Sequence, residues 1–474
     1  MTTSKKLRKP ALNTIHWMVC GLLMSFPAEA HENGTSPSSV PNSDEIENPN
    51  FYLENAVQAA RSIDSVFSHD RSLRLIAETQ AQAGEIDKAL DTVKWIQEEI
   101  SRNMALVEIA MARAKADELE AALEIARGFE DAWWRSLLLV RITKIHAVAG
   151  RIDLALQAVE RIEGGRFHAQ AVGNIAWGQA KTGDFDAALE TARGIQDPGF
   201  RAWALGAIAK RWAKTGQTDE ANRIFDTAIE VAGKIEDTRH QAWSLATLAT
   251  GRAEANQTDE ALEIARGISD AHYRGLALAS IALWQVRADQ FEAALVTTSG
   301  IEELYRRSFA LKDVAEALAE IGQNETSRQT FKTALEIAIG EEGSIFTARL
   351  LREIAEAQAN AGQIVSALDT ARGIEEAHSR SIALTAIAGV LSQKGQSEQA
   401  LRTFDAALAS ARKGGTEHAR AEAFRHIGRV QAETGHIDLP QAWMKQLTTP
   451  LEICRANLGF AEGLLKRRQT PEGG

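Results

Sequence analysis

The sequence has very little cysteine and none of the short motifs that identify common active sites. Cys20 and Cys454 are its only cysteines, and Cys20 lies in a segment that we expect to be removed, so no intramolecular disulfide is expected. No H-E-x-x-H, paired C-x-x-C, Walker loop, G-x-S-x-G or dinucleotide-binding pattern is present. We therefore expect no enzyme activity, no metal and no cofactor. Cys454 has apolar neighbours, which favours a buried thiol over a nucleophile.

The sequence also has no apolar run near its start that is long enough to span a bilayer. Residues 1–30 begin with a basic stretch from Lys5 to Lys9, continue with a short apolar core over 15–26 and end in Ala28-Glu29-Ala30. This order is typical of a secretory signal peptide with an A-x-A cleavage site, and the core is shorter than the ~20 apolar residues of a membrane span. We expect export to the periplasm or the medium, without stable membrane insertion after cleavage.

Excess basic charge is absent as well. Removing the signal segment takes away four basic residues and one acid, which changes the formal net charge from -11 to -14. Such an acidic chain has no electrostatic basis for holding a phosphate backbone, so we expect no nucleic acid partner. Residues 31–50 are rich in Ser, Pro, Asn and acids, and this composition predicts a flexible linker.

What the sequence does contain is an internal repeat with spacings of 33 or 40 residues. Each unit has one Gly, Asn or Asp at the same position, a residue type that tolerates the left-handed backbone at the end of a helix. These eleven positions predict eleven turns between helices. They are Gly84, Asp117, Gly150, Gly183, Gly216, Asn256, Asp289, Gly322, Gly362, Gly395 and Gly435.

Two helices are predicted around each of these turns. Eleven residues before the turn the residue is Leu in nine units, and eight before it is Ile in nine units. Together with small residues at seven and three before the turn, these positions lie on one face of a first helix, which we call helix A. An acid three residues after the turn, in ten of eleven units, suits the first turn of a second helix, helix B.

The three 40-residue units carry a further pattern in helix B. Their seven additional residues equal about two helical turns, and they contain Ala or Ser, then Phe four residues later, then Ala. The pattern occurs at Ala221, Phe225 and Ala228, at Ser327, Phe331 and Ala334, and at Ala400, Phe404 and Ala407. With the Leu-x2-Ile-Ala run of helix A, it resembles the tetratricopeptide repeat family, whose unit of about 34 residues forms a helical hairpin. The family's usual Tyr and Pro are mostly missing.

The resemblance implies an all-α, right-handed α-solenoid of about eleven helix-turn-helix repeats over residues 51–447. Ala56, Val57, Ala60 and Ile63 match a helix B without a preceding helix A, so an atypical half-unit stands before the first turn. Residues 448–474 begin with Thr448-Thr449-Pro450 and contain a last helix from Leu451 to about Arg467. We interpret this segment as a C-terminal capping helix and tail that keeps the end of the array soluble.

Two sets of polar residues have a structural and a functional interpretation. In six units an acid stands four residues before an Arg at the start of helix A, which favours a local ion pair over a stripe for anionic ligands. Histidines at His272, His378 and His418 share one repeat position in different units, and we do not expect them to form a ligand cluster. The acid and Arg pairs are Glu98/Arg102, Asp131/Arg135, Asp197/Arg201, Asp270/Arg274, Glu303/Arg307 and Glu376/Arg380.

The second face of helix A is the candidate binding surface. In tetratricopeptide proteins this face lines a concave groove that holds a partner peptide, and here it is apolar in the central units and charged toward the ends, with Arg71, Glu78, Arg349, Glu356, Glu422 and Arg429. Inter-repeat packing of the aromatic residues is the alternative. The candidate partner-binding residues are Leu137, Trp177, Trp203, Trp243, Leu276, Leu283 and Phe309.

We therefore predict an exported, non-catalytic scaffold that binds a partner protein or peptide in its concave groove. Two alternatives remain. One is an RNA-binding helical-repeat protein, because pentatricopeptide arrays have a similar period. The other is an accessory or sensor subunit of an envelope enzyme or transport complex.

Overall fold

The structure is a computed structural model that describes residues 46–340 and 346–469. The predicted signal peptide and most of the predicted linker lie outside these ranges, and so do residues 470–474. Within them the chain forms 24 α-helices and no strand. None of these helices is both long and apolar enough to cross a bilayer.

The helices alternate between two roles in chain order. The even-numbered helices are the A helices and the odd-numbered ones are the B helices. Their bounds are α1 Pro49–Ala60, α2 Val66–Gln82, α3 Ile86–Val93, α4 Glu99–Lys115, α5 Leu119–Arg127, α6 Ala132–Val148, α7 Ile152–Val159, α8 Gly165–Thr182, α9 Phe185–Arg193, α10 Pro198–Ala213, α11 Thr218–Gly233, α12 Thr238–Glu254, α13 Thr258–Arg266, α14 Ala271–Arg287, α15 Phe291–Ser299, α16 Leu304–Glu320, α17 Asn324–Gly340, α18 Thr347–Asn360, α19 Ile364–Gly373, α20 Ala377–Gln393, α21 Ser397–Ala411, α22 Glu417–Glu433, α23 Leu439–Met444 and α24 Pro450–Gln469.

The predicted turns are confirmed at every position. All eleven turn residues have a positive φ, including the non-glycine residues Asp117, Asn256 and Asp289 with φ of 67°, 62° and 60°. Each turn joins an A helix to the following B helix, so the pairs from α2/α3 to α22/α23 are eleven consecutive hairpins. The all-α solenoid predicted from the sequence is therefore the observed fold.

The repeat columns form the core of the array. In α2 the predicted face, Leu73, Ile76, Ala77 and Ala81, is buried, and the same columns are mostly buried in the later A helices. The three 40-residue units have the long B helices α11, α17 and α21, as their length predicts. Their Phe225, Phe331 and Phe404 are at most 1% exposed, so the additional turns of helix extend the buried face.

Consecutive A helices pack against one another. Each B helix packs on the A helix of its own hairpin, and the B helices from α1 to α21 also pack on the next A helix. The series of A helices does not stop at α22. Helix α24 packs on α22, and it also packs on two helices from the N-terminal part of the array, α1 and α2. Its contact with α1 is more extensive than its contact with α2. Because α24 has the place of an A helix and α1 that of a B helix, the two chain ends form a twelfth, composite hairpin that closes the array on itself.

Apolar and polar contacts hold this composite hairpin together. Tyr52 and Leu53 of α1 lie in one hydrophobic cluster with Leu458 and Phe460 of α24, and the rings of Tyr52 and Phe460 have centroids 4.6 Å apart. The Arg468 guanidinium donates a hydrogen bond of 2.8 Å to the carbonyl oxygen of Glu47. The residues that close the array thus come from opposite ends of the sequence.

Helix α24 therefore differs from the capping helix that the sequence suggested. A solubilising cap needs a polar outer face, whereas α24 buries Leu451, Cys454, Leu458, Phe460 and Leu464 between α22 and α1. The helix is a closing element instead. At the other end, α1 begins at Pro49 with Asn48 as its N-cap, two residues before the predicted boundary at residue 51.

The six acid and arginine pairs at the starts of A helices do not form the predicted ion pairs within the described ranges. The acid side chain often caps its own helix, as Asp197 does by accepting a hydrogen bond from the Phe200 amide. The arginine instead donates to a carbonyl at the end of the preceding helix B, as Arg135 does to Phe129 at 2.9 Å. Each partner satisfies a backbone group that a helix end leaves unpaired.

Candidate binding surface

The predicted binding face of the A helices lies on the concave side of the array. Arg71 of α2 has its guanidinium 3.6 Å from the carboxylate of Glu422 on α22, although α24 packs between these two helices. Side chains of two A helices that are separated by a third A helix can meet only on the face where the array is concave. The face of the A helices that carries Arg71 and Glu422 is therefore the concave one.

A first cavity on the concave side has a volume of about 660 Å³ and lies where the array closes; we call it the seam cavity. Its lining includes Arg71, Glu422 and Arg429, which the sequence places in the charged units at opposite ends of the repeat. Closure of the array brings these ends together, and the charged ends become one continuous surface. Sequence reasoning missed this site because it treated the array as open.

Glu422 is the centre of the seam cavity's charge network. Its carboxylate lies 3.6 Å from Arg71 and 3.7 Å from both Arg425 and Arg455. Burial raises the pKa of Glu422, but Arg455, Arg425 and Arg71 together outweigh this effect and leave the pKa below its usual range. Glu422 is therefore ionised at neutral pH and surrounded by arginines.

Three histidines also line the seam cavity, namely His378, His418 and His426. His378 and His418 were expected not to cluster, because they belong to different units, yet α20 and α22 are neighbours and bring them to one cavity. Burial, together with nearby arginines, lowers the pKa of His418 and lowers that of His426 to about 3. These two rings are thus neutral at pH 7. In residues 46–340 and 346–469 no group of three His, Cys, Asp or Glu has metal-binding geometry.

A second cavity of about 590 Å³ gathers part of the predicted aromatic stripe; we call it the aromatic cavity. Leu137 of α6, Trp203 of α10 and Trp243 of α12 line it together with Phe200. The lining comes from five successive A helices, α4 to α12. Three of the seven candidate residues therefore lie in one place.

The polar lining of the aromatic cavity is cationic and amide-bearing. Lys115, Arg141 and Lys144 line it with Gln170 and Asn174, and no carboxylate is among its lining residues in the described part of the chain. The Arg141 guanidinium donates a hydrogen bond of 3.0 Å to the carboxylate of Glu108, a residue that does not line the cavity. Apolar aromatic surface is thus combined with positive charge.

Trp203 packs between repeats and also lines the aromatic cavity. A Cβ built on Gly173 of the preceding A helix would lie 2.8 Å from the Trp203 ring, so the ring packs directly on the α8 backbone. The same side chain is partly exposed and lines the aromatic cavity. Inter-repeat packing therefore fixes the ring, and its free face points into the cavity.

The other four candidate residues do not line the aromatic cavity. Trp177 is partly buried on α8, and Leu276 is 40% exposed on α14. Leu283 packs against the cluster formed by α14, α15 and α16. Phe309 packs on Tyr305, with ring centroids 5.3 Å apart. The predicted stripe thus divides into one cavity and several separate contacts.

Cys454 is fully buried in α24. Burial raises the pKa of its thiol to about 11. The thiol is therefore protonated at neutral pH and inaccessible to solvent, as its apolar neighbours in the sequence predicted.

Comparisons with known proteins assign no family to this chain. No protein-family model and no curated protein matches this sequence. Among solved structures, the chain is similar to Ton1535 from Thermococcus onnurineus NA1, with 20% identity, 69% of this chain and 99% of that chain covered, and a TM-score of 0.29. It is similar to the human IFIT1 dimer with PPP-AAAA, with 14% identity, 78% and 95% covered and a TM-score of 0.27. It is also similar to a circular tandem repeat protein with novel repeat topology, with 13% identity, 87% and 98% covered and a TM-score of 0.21. The chain is a helical-repeat protein, and membership of the tetratricopeptide family stays a prediction.

Proposed function

We propose that this protein is an exported, non-catalytic scaffold that binds a segment of a partner protein in the aromatic cavity. The observation that carries the proposal is the convergence of Leu137, Phe200, Trp203 and Trp243 on one concave cavity of about 590 Å³. Pockets of this size that combine rigid aromatic rings with a few polar groups are typical of anchor sites for a partner side chain.

The positive charges around the cavity favour a partner segment that is acidic. Lys115 and Lys144 form no ion pair within the described residues, and no acid lines the cavity to compete for them. A segment with an apolar anchor residue flanked by Asp or Glu would pair with these cations, and a basic segment would be repelled. The proposed ligand is therefore an acidic peptide with an aromatic or large aliphatic anchor.

The test selects peptides against the purified protein from a library of acidic and basic sequences around a fixed apolar anchor. Selected acidic peptides should bind with a dissociation constant that increases about 30-fold or more in the double variant Trp203→Ala, Trp243→Ala, since hot-spot truncations cost about 2 kcal/mol or more. Trp133→Ala is the matched control, because Trp133 lies on α6 but is 50% exposed and outside the cavity lining.

Two results would refute this function. One is equal peptide binding by the double variant and by the Trp133→Ala control. The other is a library selection in which basic peptides are enriched. Circular dichroism of the double variant shows whether it keeps its helices, because Trp203 also packs on α8.

Single-stranded RNA is the second candidate, and the same cavity favours it. Partly exposed tryptophans with lysine and arginine nearby could stack bases and pair phosphates. The strongly acidic chain opposes it. Binding of a labelled oligonucleotide that weakens steeply with salt and is lost in the Trp203→Ala, Trp243→Ala variant would favour RNA over peptide.

A further inference from the structure

The seam cavity carries a binding role that is separate from the aromatic cavity. It lies between α2, α20, α22 and α24, and its volume of about 660 Å³ can hold a small organic molecule. Its lining combines elements from both ends of the sequence. Any ligand there would contact the helices that close the array.

The fixed charges of the seam cavity are predominantly positive. Three arginines, Arg71, Arg425 and Arg429, line it, against the two carboxylates of Glu422 and Glu462. A further arginine, Arg455, lies behind Glu422 and is completely buried. Arg429 pairs with Glu433 outside the lining at 3.4 Å and Arg425 pairs with Glu462. Arg71 and Arg455 are left with Glu422 as their shared carboxylate, so cations exceed carboxylates by one, and buried charge without a counterion is costly.

The guanidinium of Arg455 makes this imbalance sharper. None of its three nitrogen atoms has a hydrogen-bond partner in the described part of the chain, and its nearest acid is Glu422, at 3.7 Å. Glu422 is shared with Arg71 at 3.6 Å. One carboxylate thus stands between two guanidinium groups, and Arg71, on the cavity side, is left with positive charge to offer to a ligand.

Two neutral histidines add hydrogen-bond donors. The Arg429 guanidinium can only donate, so Nδ1 of His426, at 2.9 Å, accepts and Nε2 carries the proton. That Nε2 atom has no hydrogen-bond partner among the described residues. In the same way Arg71 donates to Nε2 of His418 at 3.2 Å, which leaves the proton on Nδ1. Of these two N–H groups, that of His426 is buried, and that of the partly exposed His418 is the one accessible from the cavity.

We propose that the seam cavity binds a small organic anion through a phosphate or carboxylate group. Arg71 supplies the charge, and the Nδ1–H group of His418 supplies a neutral hydrogen bond, a combination that suits the oxygen atoms of either group. A ligand held in this way bridges α2 at one end of the chain to α22 at the other. Binding therefore stabilises the closed array by mass action.

The experiment measures the melting temperature and, by calorimetry, the dissociation constant of the full protein with inorganic phosphate and with citrate. Sodium chloride at equal ionic strength is the reference. At least one of the two anions should raise the melting temperature in a saturable manner beyond the chloride reference. The stronger of the two identifies the group as phosphate or carboxylate.

Arg71→Gln should weaken this binding at least tenfold. The Arg71 side chain is 37% exposed, and Glu422 keeps Arg425 and Arg455, so the variant should fold. Arg349→Gln is the matched control, because Arg349 is another exposed arginine of the concave face that pairs with Glu353 and does not line the seam cavity.

His418→Phe is the second variant, since it removes the Nδ1 donor while keeping a ring of similar size. This variant keeps Arg71 and should also weaken binding of the anion. It therefore tests the proposal even if Arg71→Gln fails to fold. The proposal is overturned if neither anion differs from chloride. It is also overturned if Arg71→Gln and His418→Phe respond to the anions as the wild type and Arg349→Gln do.

Discussion

The substitution Gly459→Ala tests whether the two chain ends close the array. Helices α22 and α24 meet at Gly428, Gly459 and Gly463, where the backbones are in direct contact. A Cβ built on Gly459 would lie 1.9 Å from the carbonyl oxygen of Arg425 and 2.6 Å from its carbonyl carbon. Since Cβ contacts shorter than 3.0 Å essentially do not occur, alanine must push the two backbones apart by about 1 Å.

The magnitude follows from two opposing effects. Overpacking in a close-packed interface costs about 1–3 kcal/mol, and the upper end applies here because the obstacle is backbone. Alanine in place of glycine within a helix contributes about 1 kcal/mol in the opposite direction. We expect a net loss of about 2 kcal/mol from the interface between α24 and α22.

Gly251→Ala is the matched control for this substitution. Gly251 also lies within an A helix, α12, but its Cβ would meet only the Phe225 ring at 3.4 Å, an ordinary van der Waals contact. Gly251→Ala should therefore be neutral or stabilising by up to about 1 kcal/mol. The two variants share the chemical change and differ in what surrounds it.

The assay is hydrogen exchange read by mass spectrometry on peptides that cover 49–60 and 450–469, with urea unfolding alongside it. Gly459→Ala should accelerate exchange in α24 and also in α1, which is distant in sequence but packs on α24. Faster exchange in α24 while α1 keeps its protection would refute the composite hairpin. So would equal stability of Gly459→Ala and Gly251→Ala.

Three further predictions concern single positions. Tyr52→Phe should leave stability unchanged or raise it by up to about 1 kcal/mol in urea unfolding, because the buried Tyr52 hydroxyl has no hydrogen-bond partner within the described residues; a clear loss would show that the hydroxyl is satisfied. His146 is fully buried and burial lowers its pKa, so the unfolded state binds more protons and the wild type should lose stability as pH falls below about 6.5, by at most about 1.4 kcal/mol per pH unit from this group. His146→Leu should reduce that loss between pH 7 and 5, and an unchanged slope would contradict it. Mass spectrometry of exported protein should find His31 as the first residue, and an intact Met1 would rule out cleavage after Ala30.

The local features of this fold could be predicted from the sequence because each depends on neighbouring residues. The left-handed backbone at Gly183 or Asn256 is a property of one residue type at a helix end. The longer B helix α11 follows from seven additional residues that keep Phe225 on the buried face. Such signals repeat in every unit, so each unit supports the interpretation of the others.

Closure could not be predicted, because it depends on an angle that no residue specifies. Both halves of the twelfth hairpin were visible, α1 as a helix B without a partner and α24 as a final helix. Whether they meet depends on the small rotation between successive hairpins, summed over the whole array. Arg71 and Glu422, whose contact at 3.6 Å helps define the seam cavity, were therefore assigned to opposite ends.

The acid and arginine pairs were interpreted wrongly for a different reason. A spacing of four residues on a helix permits an ion pair, but the same spacing places Asp197 at an N-cap and the arginine next to the end of the preceding helix. An exposed ion pair contributes about 0.2–0.5 kcal/mol, whereas a carbonyl left unpaired at a partly buried helix end costs about 1–3 kcal/mol. The larger effect determines where Arg135 points, which is to the Phe129 carbonyl.

Closure also sets the shape of both cavities. Leu137 and Trp243 line one cavity although they belong to A helices three hairpins apart, so its width depends on the curvature of the array. A closed array fixes that curvature, and an open one would let it vary. An anion that stabilises the seam would therefore favour the curvature in which the aromatic cavity is formed. By thermodynamic reciprocity, a peptide that binds the aromatic cavity would then tighten the binding of the anion by the same factor.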